Sequence, residues 1–402
     1  MRQRQRPTAQ LGRRAGRPLA LASAAAVLLA ACSAGGKGDG GADDGNKGGP
    51  PAIVVQPGAD SGKVPVSRKV TVRARGGSLT SVEVTSPGPG KVSGNWSKDR
   101  SMWTSTTPLA PGATYTVRAN GKASAGPALD RTASFTTEAP KNAVVGEYYP
   151  DKGTKVGVAM PVSITFNKPI QDRAAIERKL RVTASPAVEG AWNWMKDRNG
   201  KDRVDYRPER YWKPGTDVTL RMDLAGVNAG GGAYGTQQRV VNFRIGDAVT
   251  STMDVRKKTM VVARNGKALR TLKVSSGKEG FETWNGTMVV LSKVPTIRMN
   301  SSSVRIFGQE AYDLGKVKWD VQLTPSGTYV HAAPWNEGKF GVVNGSHGCI
   351  GMSTSDAEWF YDQVHLGDPV TVLHSVDTVA TNNGYGDWNV DWATWKQGSA
   401  LS

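Results

Sequence analysis

Tyr329-Val-His331-Ala332-Ala-Pro-Trp335-Asn-Glu-Gly-Lys-Phe-Gly-Val-Val-Asn-Gly-Ser346-His347-Gly348-Cys349-Ile-Gly351-Met352 holds the one cysteine downstream of Cys32, set in a glycine-flanked turn. His347 stands two positions before it and His331 eighteen. A free thiol has a pKa of about 8.5, so an imidazole with a pKa of about 6.5 that takes its proton keeps a pool of thiolate ready. Gly348 lets backbone N–H groups crowd a substrate carbonyl, as an oxyanion hole requires. A lone cysteine is often only a small buried hydrophobe. The combination His-x-x-Pro-Trp followed by Ser-His-Gly-Cys points instead to a nucleophile with its base.

On these residues the chain resembles the L,D-transpeptidase catalytic domain, the YkuD-type fold. The likeness extends over Trp319 to Trp335, Ser346 to Asp368 and the tail Gly386-Asp-Trp388-Asn-Val-Asp-Trp392, in the manner of the mycobacterial-type enzymes with tandem immunoglobulin-like domains. The resemblance implies that Cys349 attacks a peptidoglycan stem peptide at the bond between an L-centre and the terminal D-residue. A thioester then passes to an amine of a neighbouring stem, making a 3→3 cross-link. It implies His331 as general base, oriented by the backbone carbonyl of Ala332, and an oxyanion site formed by His347 with the amides of His347, Gly348 and Cys349. Tyr312, Ser326, Gly327, Trp335 and Ser346 match positions that line the donor site. Gly351 departs from the pattern, because many relatives carry Asn or Arg there. Donor and acceptor stems are the expected partners, and a carbapenem is expected to acylate Cys349. An L,D-carboxypeptidase sharing the thioester and a non-enzymatic wall-binding lipoprotein remain as alternatives.

Charge and cysteine usage set the compartment. The chain of 402 residues carries a formal charge of +18. Residues 1–31 contain six arginines and no acid, so their loss leaves 46 basic against 34 acidic residues, a net +12 that suits an anionic envelope polymer. The apolar run over 19–31 is too short to span a bilayer and fits a signal peptide. Its end, Leu29-Ala-Ala-Cys32, resembles a bacterial lipobox, which implies acylation of Cys32 and anchoring at the outer face of the cytoplasmic membrane. Export argues against nucleic acid as a partner. Four histidines without His-x-x-x-His spacing give no metal site, and no cofactor is expected.

Length suggests three domains. After the signal peptide (1–31) and a lipidated, Gly- and Asp-rich linker (32–52), short alternating segments recur over 53–138, among them Lys69-Val-Thr-Val-Arg73 and Thr114-Tyr-Thr-Val-Arg118. The block 139–247 repeats the plan: Gly190-Ala-Trp192 with Trp212-Lys-Pro-Gly echoes Gly94-Asn-Trp96 with Leu109-Ala-Pro-Gly. Both read as immunoglobulin-like β-sandwiches whose tryptophans pack the core. The catalytic domain, 248–375, reads as β-rich with one helix after the cysteine, opened by a capping box at Ser355-x-x-Glu358 and ending at Gly367. In the C-terminal extension, 376–402, Trp388, Trp392 and Trp395 fall at helical spacing, and docking on the catalytic domain is expected. The fold class is therefore mainly β.

Overall fold

The computed structural model describes residues 50–402. The signal segment, Cys32 and nearly all of the linker lie outside them.

Alternation of apolar and polar residues builds each sandwich. In Thr114–Ala123, Tyr115, Val117 and Ala119 point inward while Arg118 and Asn120 are exposed. This strand lies in a five-stranded sheet that shares one buried cluster, including Val72, Trp103 and Phe135, with a four-stranded sheet of Ala52–Gln56, Thr71–Arg75, Met102–Ser105 and Gly94–Trp96. Trp96 departs from the expected core role: it is 37% exposed, with Arg100 over its ring at 4.3 Å. Trp103 fills the core in its place and leaves no room for a side chain at Gly94.

The second sandwich, over residues 143–245, packs Phe166 on Trp194 and Trp192 on Tyr206. Its strand Asp202–Pro208 is buried at every position although charged residues alternate along it. Val204 and Tyr206 face the core. Arg203, Asp205 and Arg207 face the other way, and the C-terminal segment covers them. Arg203 pairs with Asp205 at 2.5 Å and Asp387 at 3.4 Å. Arg207 donates to the Val390 carbonyl at 2.6 Å and lies within 5.4 Å of the ring centres of Trp388, Trp392 and Trp395.

The tryptophans of the tail dock on the second sandwich, while other residues of the extension meet the catalytic region. Trp395 is fully buried against the second sandwich, its Nε1–H donating to the Ala191 carbonyl at 2.9 Å, and Trp388 donates to Ala159 at 2.8 Å. Only Trp392 and Trp395 share the helix Trp392–Gln397; Trp388 lies in a separate 3-10 turn. The extension also meets the catalytic region: Val379 is buried in that region's core, Thr378 bridges to Asn285, and Asn389 is bonded to both backbone groups of Thr287. Indoles stack favourably on a guanidinium, and among the described residues the buried arginines, Arg203 and Arg207, both belong to the sandwich.

The third region stacks two sheets around Met253, Met260, Leu272, Val321, Val330, Ile350 and Phe360. One sheet runs Lys267–Lys273, Thr259–Arg264, Val249–Asp254, Pro369–Leu373, Gly286–Val289. The other runs Ser292–Asn300, Asp313–Gln322, Tyr329–Ala332, Ile350–Met352. Ser292–Asn300 escapes a sequence reading because Pro295 interrupts it. It is an edge strand, where a missing N–H is tolerated. The helix Thr354–Gln363 is capped by Ser353, whose Oγ accepts from the Asp356 amide at 3.1 Å, and it ends before Val364. The cap thus lies two residues ahead of the expected box, and the helix stops short of Gly367. Ala357 and Phe360 anchor it in the core.

Candidate active site

Two parallel strands place the candidate nucleophile and base. Val330 pairs with Ile350, His331 with Gly351 and Ala332 with Met352. One step back along this ladder Cys349 lies beside Tyr329, and side chains two apart share a face, so Cys349 and His331 project to the same side. The cysteine turn is braced from three directions. Ser346 Oγ donates to the Cys349 carbonyl at 2.6 Å and accepts the Gly348 amide at 3.1 Å, while Thr283 Oγ1 donates to the Gly348 carbonyl at 3.0 Å. Gly348 holds φ +113°, a conformation that favours glycine; space for a methyl exists, so the torsion sets the requirement.

His331 is 3% exposed. Its Nδ1 lies 2.8 Å from the Ala332 carbonyl, which only accepts, so Nδ1 carries the proton and Nε2 is left with a lone pair. Trp335 stacks on the ring at 5.9 Å. Burial lowers the basicity of His331 and pushes the Cys349 thiol up to about 11; the Tyr329 amide opposes that rise and the Asp320 charge adds to it. Burial thus works against the standing thiolate expected from sequence, disfavouring charge on the thiol and on the imidazole alike. Desolvation of both partners is the reason.

His347 takes a partner that sequence reasoning missed. Its Nε2 lies 2.7 Å from Glu310 Oε2, and Lys278 Nζ lies 2.6 Å from the same oxygen. Lys278 first and His347 second hold the Glu310 carboxyl below its ordinary value. The ring is seated between Phe281, edge-on at 4.8 Å, and Tyr312 at 5.0 Å. No sequence signal joins Glu310 or Lys278 to the histidine, because more than thirty residues separate each from it.

Next to the cysteine turn opens a cleft of about 350 Å³, which Cys349 and His331 do not line themselves but which Gly348 and Gly327, the acceptor of the Cys349 thiol, do. Tyr312, Ser326, Gly327, His347 and Gly348 line it. Trp335, Ser346 and Gly351 do not: Trp335 covers His331, the Ser346 hydroxyl is engaged within the turn, and Gly351 is a buried strand residue where a Cβ would meet that of Ala333 at 3.0 Å. The missing Asn or Arg at Gly351 thus matches a closed position. Because Ser346 occupies the Gly348 amide, that N–H is withdrawn from the expected oxyanion site. The His347 and Cys349 amides take no partner among the described residues.

Residues 249–372 match the family model described as the L,D-transpeptidase catalytic domain, and residues 61–228 match a bacterial Ig domain. The chain is 37% identical over 340 residues to L,D-transpeptidase 2 of Mycobacterium tuberculosis, covering 84% of this chain and 82% of that protein. L,D-transpeptidase 5 of the same organism is 34% identical over 342 residues, with coverage of 84% and 74%. A solved L,D-transpeptidase in complex with imipenem superposes with a TM-score of 0.50 at 35% identity, over 58% of this chain and 100% of that one.

Proposed function

The chain belongs to the L,D-transpeptidase family, and from that premise we propose that it forms 3→3 cross-links between peptidoglycan stem peptides. One observation carries this reading: the strand Tyr329–Ala332, which bears His331, pairs in parallel with Ile350–Met352, which Cys349 immediately precedes, so both side chains turn to one face, with the free lone pair of the imidazole on Nε2.

Cys349 Sγ attacks the carbonyl carbon of the L-centre to D-residue bond as its proton passes to His331 Nε2. The proton moves with the attack, because thiol and imidazole are both neutral beforehand. The oxyanion is held by the His347 and Cys349 amides beside the His347 ring. Collapse breaks the C–N bond, the imidazolium returns its proton to the departing D-amino acid amine, and a thioester remains. An amine of a second stem attacks this carbonyl and gives its proton to His331; the C–S bond breaks, and the departing Sγ takes that proton from the imidazolium. The imipenem complex of a relative supports acylation of Cys349 by carbapenems. The arginine-led apolar segment and its terminal Cys32 support export and lipid anchoring at the outer face of the membrane.

Incubation with a disaccharide tetrapeptide, followed by mass spectrometry, tests the proposal. A cross-linked dimer lacking one terminal D-amino acid is expected. Trimmed monomer alone would refute transpeptidation in favour of an L,D-carboxypeptidase. In cells, cross-linking unchanged by Cys349→Ala while peptidoglycan binding persists would favour the wall-binding lipoprotein.

A further inference from the structure

The cleft beside Cys349 is walled by three parts of the chain. Arg198 reaches it from the hairpin joining Gly190–Lys196 to Asp202–Pro208 in the second sandwich, and Asp377 comes from the C-terminal extension. The hairpin fixes its arginine: Asp197 Oδ1 accepts the amides of Asn199 at 2.9 Å and Lys201 at 2.8 Å. The guanidinium donates to Asn383 Oδ1 at 3.3 Å, and the buried Asn383 donates in turn to Ser326 Oγ at 2.9 Å. Ser326 adjoins Gly327, whose carbonyl accepts the Cys349 thiol. A chain of contacts thus runs from the sandwich to the nucleophile.

Arg198 is the only lysine or arginine lining the cleft, and among the described residues no carboxylate stands within ion-pair distance of it. Glu282 and Asp377 also line the cleft. A cation on one wall and acids elsewhere complement a peptide that carries both carboxylates and a free amine. A guanidinium matches a carboxylate with two parallel N–H donors, which a lysine cannot reproduce.

We propose that Arg198, lent to the site by the second sandwich, is a specificity residue that grips a carboxylate of the stem peptide bound beside Cys349. The proposal rests on the reading that the substrate is such a peptide, and it makes the sandwich part of the active site as well as a spacer.

Calorimetry on the whole chain carrying Cys349→Ala, which cannot turn over, tests it with a tetrapeptide stem bearing free carboxylates and with the same peptide amidated at each of them. Adding Arg198→Ala is expected to weaken binding of the acid about tenfold and to leave the amide unchanged, with Arg198→Lys intermediate. Because Arg198 is exposed, unchanged binding of the amide also certifies the fold. Equal weakening for both peptides, no weakening for the acid, or no measurable binding of the acid by the parent would each overturn the proposal. Binding is read without turnover, so a failure to form dimers in the product assay would refute the cross-linking reading separately.

Discussion

The thiol of Cys349 donates to the carbonyl oxygen of Gly327, 3.4 Å away, so the sulfur's proton is directed to backbone and not to an imidazole. The rise of its pKa to about 11 has burial and the Asp320 charge as causes. His331→Ala is therefore expected to leave the thiolate absorbance titration near its wild-type midpoint while slowing acylation about 10²–10⁴-fold. A midpoint that climbs further in the variant would show that the imidazole stabilises a resting thiolate and would sink this account.

Glu310 fixes the ring of His347 and is itself fixed by Lys278. Glu310→Gln keeps an acceptor of the same shape and removes its charge. We expect kcat/KM to fall about tenfold with thermal stability unchanged, since a charge-assisted bond is replaced by a neutral one at a half-open site. Kinetics equal to the wild type would remove Glu310 from the machinery.

Asp320 is fully buried, and the Ile297 amide, the one group that favours its charge, does not reach full hydrogen-bond geometry with either carboxyl oxygen. Desolvation raises its pKa from 3.8 to about 7. Below about 3.8 the folded and unfolded chains are both protonated there, and the residue costs nothing. Between about 3.8 and 7 the unfolded chain releases the proton while the folded one keeps it, so stability falls as pH rises and levels above 7. At about 1.4 kcal/mol per pH unit the loss is roughly 4 kcal/mol. Urea unfolding at pH 4 and pH 8 is expected to show a smaller difference in Asp320→Asn than in the wild type by a few kcal/mol. An equal difference in the two proteins would contradict the assignment.

Trp395 joins the C-terminal extension to the second sandwich through full burial and the bond to Ala191. Trp395→Ala is expected to cost about 3–5 kcal/mol in urea unfolding, the usual loss for an indole removed from a packed interior. A loss below about 1 kcal/mol would mean that the extension docks mainly through Arg203 and Arg207.

Much of the architecture was legible because alternation of apolar and polar residues is a local signal. Thr114-Tyr-Thr-Val-Arg118 and Asp217-Val-Thr-Leu-Arg221 became strands with their apolar residues inward. The strand Ser292–Asn300 was obscured by Pro295, whose tolerance depends on lying at a sheet edge, a property no window of sequence contains. The helix cap at Ser353 was obscured by serines at both 353 and 355, either of which has a plausible partner three residues on.

By itself the sequence brought the candidate nucleophile and its candidate base together, because Cys349, His347, Gly348 and His331 lie in one short stretch whose chemistry is carried by residue type and spacing. Tertiary structure alone decided what surrounds them. The raised pKa of the thiol comes from burial, the hold on His347 from Glu310 and Lys278, and the third wall of the cleft from Arg198. Desolvation and ion pairing depend on which distant segments the fold brings within a few ångströms, and that distance is a property of packing, absent from the order of residues along the chain.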